Sequence, residues 1–155
     1  NLLIDPDRPY AYTCGQDTLE GGVVVYDITD PREPVQWAYF DEIYIHDIEV
    51  VKRADVGYVL YAAGIYNSTV LILDVNDIPE GSINDQVIQH IDTIDMPHNT
   101  AQTEDDRFLY VSHEADAHPV TIWNVTDLNN IEAAGEMSVH VERSTIPHNV
   151  YINGD

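Results

Sequence analysis

The chain has 155 residues, of which six are Lys or Arg and 28 are Asp or Glu, so its formal net charge at pH 7 is −22. Such an acidic surface makes nucleic acids and anionic membranes poor partners. Cys14 is the single cysteine, which excludes an internal disulfide and a cysteine-based zinc site within this chain. No stretch approaches the roughly 18 consecutive apolar residues of a membrane-spanning helix.

Short runs rich in Val, Ile and Tyr follow one another along the whole chain, separated by Gly, Asn, Asp and Pro. Runs of this composition predict β-strands, and none has the length or the 3.6-residue periodicity of a helix. In chain order the predicted strands are 10–14, 22–28, 35–40, 46–52, 57–63, 69–75, 87–93, 98–103, 107–113, 119–125, 133–139 and 148–152.

A sequence repeat of about 50 residues runs through these strands. His followed by Asp or Asn occurs three times with this spacing, at His46, His98 and His148. Tyr12, Tyr61 and Tyr110 keep the same interval. Each period contains four short strands, which is typical of the four-stranded antiparallel blades of a β-propeller.

The repeat predicts an all-β chain that is a single β-propeller segment, with two complete and two partial blades. The expected units are a partial blade at 1–45, blades at 46–97 and 98–147, and a strand of the next blade at 148–155. Because neighbouring blades must stack to bury both faces, the partners we expect are the remaining blades of the same polypeptide or further copies of the chain.

Two kinds of segment resemble a known family. GGVVVYDITDPREPVQWAYFD is similar to the LVIVD repeat, and HDIEVV, PHNTAQ and PHNVYINGD resemble the strand openings that follow it. Together they resemble the choice-of-anchor B family of bacterial surface propellers. The resemblance implies a propeller fold and a secreted or cell-surface location in a prokaryote, and it implies no particular activity.

The predicted connectivity places seven possible metal ligands on one face of the blades. Connections between blades share this face with the loops between second and third strands, so His46, His98 and His148 are expected near the mouth of the central channel. The run from His113 to His118 adds His113, Glu114, Asp116 and His118. Neutral imidazoles around an axis suit zinc, copper, nickel or iron.

A structural role is the alternative for these residues. A histidine that recurs in every blade can simply hydrogen-bond within its own blade, and the adjacent Asp47, Asn99 and Asn149 can cap the same loop. The run from His113 to His118 can simply face water. His90, in an outermost strand, is expected to face solvent or an interface, and His140 can reach either environment.

The Asp-rich turns DITDP and DVNDIPEGSIND suggest calcium as a second possible ion, but they lack the EF-hand spacing, and turn chemistry alone explains their composition. No G-x-S-x-G elbow or P-loop is present. The sequence therefore favours a non-catalytic extracellular or cell-surface module for binding or structure. The alternative is a metal-dependent propeller enzyme, of oxidase or lyase type, that uses the channel histidines.

Overall fold

The computed structural model describes residues 1–138 and 146–153, and their regular structure is almost entirely β. Three single-turn 3-10 helices interrupt thirteen strands. The strands are β1 Leu2–Ile4, β2 Tyr10–Cys14, β3 Val23–Asp27, β4 Val35–Phe40, β5 Asp47–Arg53, β6 Gly57–Gly64, β7 Thr69–Asp74, β8 Gly81–Ser82, β9 Val87–Asp92, β10 Pro97–Gln102, β11 Phe108–His113, β12 Val120–Asn124 and β13 Glu132–Met137. The predicted all-β class is confirmed.

The strands form three separate sheets, each an antiparallel meander. Sheet I has the order β1-β2-β3-β4, with the short β8 added in parallel to β4. Sheet II has the order β5-β6-β7-β9, and sheet III the order β10-β11-β12-β13. No closed propeller or barrel is formed by the described parts of the chain. Among these residues, no helix is long and apolar enough to cross a membrane.

Side-chain alternation along β6 explains how the sheets stack. Leu60 and Ala62 belong to the apolar cluster shared with sheet I, whereas Val59 and Tyr61 belong to the cluster shared with sheet III. Successive side chains of a strand point to opposite faces of the sheet. Because both faces of sheet II are covered, β6 is a continuous run of apolar residues instead of an alternating one.

The repeat places the same residue type at the same register in each sheet. Tyr12 pairs with Leu3, Tyr61 with Glu49, and Tyr110 with Ala101. The first strand of every sheet thus pairs with its tyrosine-bearing second strand in one common register. We call β1, β5 and β10 the first strands.

Three strand predictions need correction. Leu2–Ile4 forms β1, which was not predicted, so sheet I has four consecutive antiparallel strands where three were predicted. Gly81–Ser82 forms β8, which was also missed. Residues 148–152 were predicted as a strand but have no regular secondary structure, because the described residues provide no second strand for them to pair with. The end of the strand predicted at 133–139, and His140, lie outside the described residues.

Candidate metal centre

Three histidines approach the same point from three successive repeats. His46 immediately precedes β5, and its backbone N–H donates to the Ala63 carbonyl at 2.8 Å, which fixes it beside β6. His98 lies in β10 at a register shift between Pro97 and Asn99. Such an irregularity redirects a side chain relative to its strand. His148 lies in the segment 146–153.

The imidazole rings form a row with His98 in the middle. Ring centroids are 4.4 Å apart for His46 and His98, and 3.9 Å apart for His98 and His148. The three depths differ, since His98 is only 3% exposed whereas the His148 side chain is 61% exposed. The rings therefore converge on one another and do not point into separate sheets.

Glu114 supplies a carboxylate to this row. It follows β11, and its backbone N–H donates to the Met96 carbonyl at 3.0 Å, which holds it beside the start of β10. One carboxylate oxygen lies 3.9 Å from His98 Nε2 and the other lies 3.9 Å from His148 Nε2. One carboxylate thus bridges two of the imidazoles.

The spacing of these atoms suits a metal ion. One potential ligand atom each from His46, His98 and Glu114 all lie within 4.8 Å of one another. Tetrahedral zinc with bonds of about 2.0–2.1 Å holds its ligand atoms roughly 3.4 Å apart. Small side-chain rotations would bring these donors to that separation.

The protonation state of His98 also suits metal binding. Burial, followed by the positive charge that His148 and His46 can carry, holds the pKa of His98 below its usual range, and this outweighs the opposing effect of Glu114. His98 Nδ1 is buried and has no hydrogen-bond partner among the described residues. A neutral imidazole is the form that binds transition metals.

The residues that follow the histidines link neighbouring repeats. Asn99 Nδ2 donates to Asp47 Oδ2 at 3.1 Å, and Asn99 Oδ1 accepts from the Val150 N–H at 2.8 Å. Asn1 Nδ2 donates to the His46 carbonyl at 3.0 Å. These side chains were expected to cap loops within one blade, whereas their hydrogen bonds run between successive repeats. They hold the histidine backbones at fixed spacing.

Three other predicted ligands do not join the row. His113 is fully buried, with Nδ1 hydrogen-bonded to the Asp95 carbonyl and Nε2 lying 3.0 Å from Thr121 Oγ1. Both of its ring nitrogens are engaged, so its prediction as a ligand is corrected to a structural role. His118 Nδ1 contacts the Asp116 carbonyl at 3.2 Å. His113, Asp116 and His118 all lie outside the group of metal-ligating atoms in the part of the chain described.

His90 and the Asp-rich turns lie at the surface, away from the row of histidines. The His90 side chain is 59% exposed on β9, as expected for an outer strand. In the turns, the Asp27 carboxylate accepts the Thr29 N–H at 2.7 Å, and the Asp74 carboxylate accepts the Asn76 N–H at 2.9 Å. These are the local bonds by which Asp stabilises turns, so the turn composition needs no calcium.

Glu49 is a half-buried charged residue that was not predicted to have a special role. Its carboxylate accepts the Gln102 N–H and the Thr100 hydroxyl, both at 3.2 Å, between sheets II and III. Burial raises its pKa to about 7. It lines a cavity of about 270 Å³ along the first strands. The signal was a charged residue in the otherwise apolar run HDIEVV, but which neighbouring sheet it faces is decided only by packing.

No family model matches this chain, and no curated protein matches it.

Proposed function

We propose that the chain is a repeat module that binds one divalent transition-metal ion, with His46, His98 and Glu114 as its central ligands. The observation that carries this proposal is the convergence of imidazoles from successive repeats beside a single carboxylate. Histidines with a purely local structural role would each hydrogen-bond within their own sheet, as His113 does.

The donor set favours a particular class of ion. Imidazole nitrogens suit zinc, copper, nickel and iron, whereas calcium and magnesium prefer oxygen ligands throughout. The surrounding charge also favours a cation, since the chain carries 28 acidic residues. A strongly negative field raises the local concentration of cations near such a site.

We propose that this ion has a structural or ligand-binding role and not a catalytic one. In support, the polar side chains that follow His46 and His98 in the sequence, Asp47 and Asn99, are hydrogen-bonded between repeats, and Glu114 is itself a proposed ligand. A metal-dependent oxidase or lyase would use the same ligands but would need a substrate-accessible coordination position. Substrate turnover by the metal-loaded protein would favour the enzyme over the module.

We further propose that the three sheets are blades of a β-propeller exposed on a cell surface or secreted. In support, the first strands share one register, and sheets II and III present corresponding positions to the sheet before them. On sheet I the corresponding face is open, with Leu2 66% and Ile4 55% exposed. Further blades, from the same polypeptide or from other copies, would cover this face.

Metal titration tests the proposed site. We expect metal-stripped protein to bind one equivalent of zinc, copper or nickel in calorimetry, and His98→Ala to weaken binding at least tenfold. His90→Ala is the matched control, because it removes an exposed histidine of β9 and should leave affinity unchanged. Equal affinity and stoichiometry in the wild type and His98→Ala would refute the proposal, as would a wild type that binds none of these ions.

A further inference from the structure

His148 differs from the other two histidines because the segment that carries it belongs to no sheet. Residues 146–153 resemble a first strand, and Asn149 to Ile152 correspond to Asn1 to Ile4, which pair with β2 in sheet I. In the described structure this segment has no strand pairing. We propose that His148 is a fourth, closing ligand, and that metal binding fastens the segment 146–153 against sheet III. This inference rests on the proposed metal site.

The contacts of the segment with sheet III are few and run through side chains. Ser112 Oγ donates to the His148 carbonyl at 2.8 Å, and the Val150 N–H donates to Asn99 Oδ1 at 2.8 Å. Tyr151 is 80% exposed and Ile146 is 45% exposed. Little apolar burial therefore holds the segment in place, and segments held in this way open at low free-energy cost.

The His148 ring is oriented for ligation. Its Nδ1 is hydrogen-bonded to Asn149 Oδ1, a bond that places the ring proton on Nδ1 because an amide oxygen only accepts. The lone pair then lies on Nε2, the atom that is 3.9 Å from Glu114 Oε1. A hydrogen bond at one ring nitrogen that frees the other for the metal is the usual arrangement of ligating histidines.

With His148 the site would have three nitrogens and one oxygen, the four ligands of a tetrahedral shell. His148 lies outside the group of donor atoms that are within 4.8 Å of one another, so metal binding would draw it toward the other three ligands. Shells of four protein ligands are typical of structural zinc, whereas catalytic zinc keeps one position for water or substrate. The four ligands come from sheet II, sheet III and the segment 146–153. The ion would therefore bind three successive repeats together. It would also hold the segment 146–153 in a position where it can serve as the first strand of a further sheet.

Hydrogen exchange read by mass spectrometry tests this inference, with zinc stoichiometry measured on the same samples. We expect zinc to slow exchange at least fivefold in peptides from 146–153 of the wild type. In His148→Ala, zinc should still bind, at least tenfold more weakly, without protecting this segment even at saturation. His118→Ala is the control and should behave like the wild type, because His118 contacts the Asp116 carbonyl and does not belong to the row of three imidazoles.

Two kinds of failure are distinguishable. The proposed role of His148 is wrong if zinc binds the wild type but leaves exchange in 146–153 unchanged. It is also wrong if zinc-saturated His148→Ala shows the full protection, and in both cases the metal site itself is still supported. If zinc does not bind the wild type, both the proposed role of His148 and the proposed function are wrong. Circular dichroism of His148→Ala should match the wild type, since the replaced side chain is largely exposed.

Discussion

The two interfaces between sheets are built on one repeat but differ in chemistry. Between sheets I and II, Leu3 packs at the position paired with the repeated tyrosine, against a large apolar cluster that includes Phe40 and Leu60. Between sheets II and III the equivalent position is Glu49, which hydrogen-bonds to Thr100 and Gln102. The same backbone register therefore supports either an apolar contact or a polar network.

An arginine has a corresponding role in both interfaces. Arg8 forms a salt bridge with Asp5 at 2.8 Å and donates to the Val75 carbonyl of sheet II. Arg53 pairs with Asp55 at 3.0 Å and donates to the Val125 carbonyl at 2.9 Å. In each case the guanidinium satisfies the carbonyl that follows the third strand of the next sheet. The comparison predicts that apolar packing dominates the first interface, and that paired charges matter more in the second.

Phe40→Ala should have the largest effect, because this fully buried side chain lies in the apolar interface. We expect a loss of about 3–5 kcal/mol in the free energy of unfolding, from lost burial and the cavity left behind. Urea denaturation would measure it, and exposed Val35→Ala on the same strand is the control. A loss below about 1 kcal/mol would contradict the dominance of apolar packing there.

Arg53→Met should be the next most destabilising change. Arg53 is 3% exposed, and its guanidinium also donates to the Asp106 carbonyl and to Gln102 Oε1. Methionine fills similar space but removes the donor to the Asp106 and Val125 carbonyls, while Gln102 Oε1 keeps the Tyr61 hydroxyl, at an expected cost of about 2–3 kcal/mol. Urea denaturation measures the cost. If Arg53→Met unfolded at the same urea concentration as the wild type, the claim that paired charges stabilise the interface between sheets II and III would be contradicted.

Glu49→Gln should change how stability depends on pH. The folded pKa of about 7 lies above the usual value for Glu, so the protonated form is favoured by folding. Its stabilising contribution is complete below about pH 4 and is lost as pH rises through about 7, amounting to at most about 3 kcal/mol.

Gln reproduces the neutral form, with one oxygen to accept the Gln102 N–H and an amide to bond Thr100. We therefore expect Glu49→Gln to gain stability over the wild type at pH 8 but not at pH 4, as measured by urea denaturation at both pH values. A difference between the two proteins that stays constant from pH 4 to pH 8 would show that Glu49 does not titrate in this range.

Local sequence patterns predicted most strands but missed those that depend on distant partners. The β-branched run of β7 and the Tyr-rich run of β6 were recognisable because alternation and composition are properties of the segment itself. β8 has two residues and exists only through pairing with β4, some forty residues earlier. The strand predicted at 148–152 shows the converse, since a suitable sequence forms no ladder without a paired strand.

Only the part of the candidate site that is set by the sequence repeat was predictable. Equal spacing placed His46, His98 and His148 at equivalent positions, so their convergence follows from stacking of the repeats. His113 and Glu114 are adjacent in sequence, but the end of β11 turns the first inward to Thr121 and leaves the second beside His98. No property of the two residues alone distinguishes those orientations.

X-ray absorption spectroscopy of the zinc-loaded protein tests the proposed metal centre most directly. We expect a first shell of four nitrogen or oxygen donors at about 2.0–2.1 Å, with the scattering pattern of at least two imidazoles, from His46 and His98, and of a third where His148 closes the shell. In His98→Ala one imidazole should be lost from that shell. A first shell made only of water or carboxylate oxygens, or a spectrum identical in the wild type and His98→Ala, would contradict the metal centre.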